Sequence, residues 1–129
     1  MFKHSILKDI EKLKADKERN VKITETRRKK AQDELDDLME RFIIAQIPGI
    51  IIERDYEDSS EWVCRNEKTG RALFYVIICK VDYETYDHPG TYSFKIKLAR
   101  IGLCTDGIRQ FNNIESLERK IKQILAEVI

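Results

Sequence analysis

The first third of the chain carries an apolar stripe at helical spacing that is present at both ends and interrupted in the middle. Ile6, Ile10 and Leu13 recur four and three residues apart with charges between them, which is how one buried face of a helix reads in sequence. Ala31, Leu35, Leu38, Met39 and Phe42 form a second good stripe that runs up to Pro48-Gly49. Continuing the register between the two places Lys17, Asn20, Thr24 and Arg27 where a partner's core would be, with Val21 and Ile23 close by.

A single helix over residues 3–46 would be roughly 65 Å long at 1.5 Å per residue. A compact domain of this size has a radius of gyration of only about 14 Å. The segment is therefore expected either to protrude as a long helix or to fold into a helical hairpin near Asn20 to Thr26. A helix starting at Thr26 would put Arg27, Arg28, Lys29 and Lys30 in its first turns, against the macrodipole, which favours continuity. A protruding helix needs a partner over its stripe, and the simplest is a second copy of the chain.

Charge is segregated along the same segment. Residues 1–30 hold eleven Lys/Arg against five Asp/Glu, and residues 31–61 hold two against ten, so a net +6 is followed by a net −8. An intramolecular hairpin and an antiparallel pair of subunits would both set the basic stretch against the acidic one.

Beyond Pro48-Gly49 the periodicity changes. Ile50 to Ile52 is β-branched and bounded by turn residues, Asp55 to Ser60 is polar, and Glu61 to Arg65 reads as a second strand. Glu67-Lys68-Thr69-Gly70 has Gly where a hairpin turn needs a positive φ. Ala72 to Cys79 shows no polar alternation, which predicts a central strand buried on both faces. The C-terminal helix covers one of those faces, leaving the other to the N-terminal segment or a second subunit.

Asp82 to Thr91 is expected as a wide loop around Asp87-His88-Pro89-Gly90, and Tyr92 to Leu98 alternates apolar residues with Ser93, Lys95 and Lys97. Gly102 and Thr105-Asp106-Gly107 punctuate one or two short strands through Phe111. Asn112 and Glu115 have capping-box spacing before the stripe Ile114, Leu117, Ile121, Ile124, Leu125 and Val128. The fold class expected is α+β: a long N-terminal helix or helical hairpin, an antiparallel β-meander of four or five strands, and an amphipathic C-terminal helix packed on the sheet. Residues 1–47 form a charged helical segment for oligomerisation or interaction, and residues 48–129 the meander and closing helix, the two making one domain.

No apolar run reaches the length of a membrane span, and the N-terminal residues, interrupted by Lys3, Lys8, Asp9, Glu11 and Lys12, do not resemble a signal peptide. Cys64, Cys79 and Cys104 leave an odd thiol under any pairing, so a reducing, cytoplasmic setting is expected. No cofactor or metal is expected. Asp87-His88 are neighbours on a turn, which seldom converge on one point, and Cys79 reads as a core filler. Paired carboxylates such as Asp36-Asp37 and Glu57-Asp58 are common in so charged a chain, and no phosphate loop or nucleophile elbow is present.

Three functional readings follow. The preferred one is a non-enzymatic protein–protein interaction module of adaptor, assembly-factor or inhibitor type, acting as a homo-oligomer whose interface uses Ile6, Ile10, Leu13, Leu35, Leu38 and Phe42. The second is nucleic-acid or anion binding by Lys22, Arg27, Arg28, Lys29 and Lys30 together with the strand lysines Lys95 and Lys97 and with Arg100. The third is a small-ligand or enzymatic pocket near Arg100, Arg109 and His88, because Arg100 keeps the phase of Phe94, Ile96 and Leu98 and points toward the apolar face.

Overall fold

The computed structural model describes residues 2–56, 60–99 and 107–129. Helix α1 (Phe2–Ile44) is continuous over 43 residues, which at 1.5 Å per residue is about 64 Å. The hairpin alternative does not form: no Gly or Pro interrupts the helix before Pro48, and the polar stripe positions find partners elsewhere in the fold. The helix closes at Gln46, in the left-handed region with φ 50, followed by Gly49 with φ 77. Both conformations terminate the helical hydrogen-bond ladder and reverse the chain into the sheet.

The sheet is a meander in the order β1 (Ile50–Arg54), β2 (Trp62–Asn66), β3 (Ala72–Asp82), β4 (Thr91–Leu98) and β5 (Ile108–Phe111), every neighbouring pair antiparallel. The β2–β3 hairpin turns at Gly70, whose φ is 71. Asn66 Oδ1 accepts from the backbone N–H of Lys68 and of Thr69 there. Helix α2 (Ile114–Val128) is capped by Asn113 rather than Asn112, the Asn113 side chain accepting from Ser116 N at 2.8 Å. The cap lies one residue later than the capping-box spacing indicates because Ile114 is the first helical residue.

The core is one cluster between the helices and a single face of the sheet. It joins Ala31, Leu35, Leu38, Met39 and Phe42 of α1 to Ile52, Trp62, Cys64, Phe74, Val76, Phe94 and Ile96 of the strands and to Leu117, Ile121 and Leu125 of α2. The two helices touch on that face, where Arg41 Nη1 donates to Glu118 Oε1 at 2.9 Å. Both helices therefore lie on one face of β3, which corrects the expectation that the N-terminal segment covers the other. Phe74 and Val76 are fully buried, whereas Tyr75, Ile77 and Cys79 on the other face are half-buried. A strand with no polar alternation marks apolar neighbours on both sides but does not say that a helix supplies them.

Leu35, Leu38 and Phe42 are likewise corrected. Assigned above to a subunit interface, they are 0%, 1% and 9% exposed inside the chain's own core. Each contributes by burial, about 1.5–3 kcal/mol for a side chain of this size. Asp36 fastens the same stretch of α1 to the sheet edge. Its Oδ1 accepts from Trp62 Nε1 at 2.9 Å and from Gln32 Nε2 at 2.8 Å, and its Oδ2 pairs with Arg54 at 3.1 Å.

Candidate interaction surface

Helix α1 divides by what its stripe meets. From Ala31 to Phe42 it meets the sheet. From Asn20 to Arg27 it meets the β3–β4 loop, through hydrogen bonds in place of apolar contact. Asn20 Nδ2 donates to the carbonyls of Thr85 (2.9 Å) and Tyr86 (3.2 Å). Thr24 Oγ1 accepts from Gly90 N at 2.7 Å and donates to Asn20 O at 2.7 Å, and Arg27 Nη1 donates to Gly90 O at 3.0 Å. Asn20 and Thr24 are only 4% and 3% exposed, so these polar groups occupy a buried site with their hydrogen bonds made.

Gly90 permits this approach, because a Cβ there would lie 2.8 Å from Asp82 O and 2.9 Å from Thr24 Cγ2. The loop is held in shape by Thr85 Oγ1, which accepts from Asp87 N and His88 N. The Lys80–Glu84 pair at 2.9 Å adds to it. The hydrogen bond from Lys80 lowers the Glu84 carboxyl from its ordinary value, and the same bond raises the Lys80 ammonium.

N-terminal to this latch the stripe leaves the core cluster. Ile6, Ile10 and Leu13 are 60%, 56% and 46% exposed, over a stretch from Phe2 to Lys17 of about 22 Å. Where the overhang meets the latch, Ile10, Leu13, Lys14, Lys17, Glu18, Val21, Lys22 and Tyr86 line a groove of about 760 Å³. The Lys17 ammonium lies 5.4 Å from the centre of the Tyr86 ring. The groove is therefore apolar at its base and rimmed by three ammonium groups and one carboxylate.

The basic cluster is divided among several surroundings. Lys22 lines that groove, Arg27 donates to Gly90 O and shares a second groove with Lys30 and Glu34, and Arg28 pairs with Glu25 at 2.6 Å. Lys29 and Lys30 share a shallow groove with Asp33, Glu34 and Asp37. Lys95 and Lys97 stand opposite Ile77 and Tyr75, on the sheet face turned away from α1. Arg100 lies outside the described residues.

Of the groups set beside Arg100 in the third reading, His88 sits in the latch loop with Nδ1 3.1 Å from Pro89 O. Arg109 pairs with Ile96 on the edge strand, well along β4 from that loop. Among the described residues no three His, Cys, Asp or Glu side chains form a group that could hold a metal ion. Burial pushes the Cys64 thiol up to about 12 and makes it a poor nucleophile.

The sequence marks Ile6, Ile10 and Leu13 as a stripe needing a partner but does not set them apart from Leu35, Leu38 and Phe42, nor place Tyr86 and the latch loop beside them. The one available signal was the polar run Lys17, Asn20, Thr24 and Arg27 in stripe register, which marked where the helix stops needing an apolar partner. Comparison with family models, curated proteins and solved structures finds no match to this chain. No described helix is long and apolar enough to cross a membrane.

Proposed function

We propose that the protein is a non-enzymatic protein–protein interaction module, of adaptor or assembly-factor type, whose docking surface is the overhanging part of α1 with the groove beside Tyr86. One observation carries the reading: the helix face that is core from Ala31 to Phe42 turns apolar again beyond the polar latch, at Leu13, Ile10 and Ile6, which are 46%, 56% and 60% exposed. Apolar surface of this kind contributes little to the fold of the chain that bears it, and contiguous patches mark interaction sites. Self-association is the form expected from the sequence; a foreign partner on the same surface is the other.

The test is the paired substitution Ile10→Glu with Leu13→Glu, followed by urea unfolding and light scattering. The expected result is a stability within about 0.5 kcal/mol of the parent, as for surface positions. A loss of several kcal/mol from a parent that light scattering shows to be a monomer would mean that the stripe is part of the core and would refute the reading. In the self-associating form the parent mass exceeds the 15.3 kDa monomer and the variant returns to it. The nucleic-acid reading requires the separated cations to act together, and no observation favours it.

A further inference from the structure

The occupant of the overhang can be argued from the geometry that isolates it. A second copy laid parallel to α1 would pack about 10 Å away on the stripe side. From Asn20 onward that space is filled by the chain's own loop at Thr85, Tyr86 and Gly90, and then by its own sheet. Parallel pairing therefore collides with the body of the protein.

An antiparallel copy clears the body but meets the wrong charges. At about 100° per residue, Asp9 and Asp16 fall on one flank of the Ile6–Ile10–Leu13 line, Asp16 paired with Arg19 at 2.9 Å, and Lys14 and Val21 on the other. The two-fold axis of an antiparallel pair sets each flank against the same flank of its mate, so carboxylates face carboxylates and ammoniums face ammoniums. The groove repeats the imbalance. Lys14, Lys17 and Lys22 line it against Glu18, with Glu84 close enough to feel the Lys17 charge, and none of the three lysines forms an ion pair among the described residues.

We infer that this groove receives an acidic amphipathic helix of a different protein, its apolar face on Ile6, Ile10, Leu13 and Val21, its carboxylates on Lys14, Lys17 and Lys22, and one end against Tyr86. Apolar anchors on one helix face supply the contact area, and complementary charge supplies choice of partner and orientation. The inference rests on the interaction-module reading and adds to it the class of partner.

The experiment uses two synthetic peptides of about five helical turns that share one Leu/Ile stripe, one flanked by Glu and the other by Lys. Fluorescence anisotropy measures their binding to the full chain at low and high salt, to the charge reversal Lys14→Glu with Lys17→Glu, and to Tyr86→Ala. Light scattering gives the mass of the unliganded protein. The expected outcome is a 15.3 kDa monomer that binds the Glu-flanked peptide at least about tenfold more tightly than the Lys-flanked one. That preference shrinks with salt and inverts in the charge reversal, and Tyr86→Ala weakens both peptides. A dimer that dissociates in the Ile10→Glu, Leu13→Glu variant would overturn the inference and leave the module reading standing. Equal binding of the two peptides, or binding of neither, would overturn it as well, whereas unfolding of the Ile10→Glu, Leu13→Glu variant of a monomeric parent would remove the module reading itself.

Discussion

Replacing Thr24 by Val would complete the apolar stripe of α1 at the point where it fails, and on helix pattern alone the change should stabilise the protein. The structure gives the opposite sign. Val is nearly isosteric with Thr, so packing is conserved and the change isolates the hydroxyl. That hydroxyl accepts the Gly90 N–H at 2.7 Å in a site where Thr24 is 3% exposed. Gly90 is held in place, because its carbonyl also accepts from Arg27 and the space beside its Cα is closed by Asp82 O and Thr24 Cγ2. An N–H left unpaired in such a site costs about 1–3 kcal/mol. Val gains a methyl in place of the hydroxyl, worth at most about 0.8 kcal/mol. With the full methyl gain the net expectation is a loss of about 0.2–2 kcal/mol, or up to about 1 M in the urea midpoint for a small domain. Urea unfolding followed by circular dichroism measures the midpoint, and hydrogen exchange at Gly90 reports whether its amide has lost protection. An unchanged or raised midpoint would refute the latch, and so would retained protection at Gly90.

Two further outcomes follow from the same packing. Leu38→Ala is expected to cost about 2–5 kcal/mol, because Leu38 is 1% exposed in the chain's own core; a loss under 1 kcal/mol in urea unfolding would return Leu38 to the surface. The Lys80–Glu84 pair gives a pH dependence with two signs. The Glu84 carboxyl is lowered in the folded state, so its contribution is present above the ordinary value of 4.5 and is lost as pH falls through the lowered folded value. The Lys80 ammonium is raised from 10.5, so its contribution is present below that value and is lost as pH rises through the raised folded one. The difference in urea midpoint between the parent and Glu84→Gln is therefore expected at neutral pH and closes in acid, and a difference independent of pH would show that the pair adds nothing.

Local pattern determined most of the element order. The stripe from Ile114 to Val128, the Gly70 turn and the alternation from Tyr92 to Leu98 were legible because each depends on residues within a few positions of one another. Helical continuity through Asn20 and Thr24 was legible only as a preference, since the partners that satisfy those side chains lie some 65 residues away in sequence, at Thr85 and Gly90. Tertiary structure alone decided which face of β3 the helices cover. It also decided that Leu35, Leu38 and Phe42 fill the chain's own core while Ile6, Ile10 and Leu13, of the same period and residue type, stay uncovered. The physical reason is length. A helix of about 64 Å outruns the sheet it packs on, and a sequence period records which face seeks burial but not where the burying surface ends.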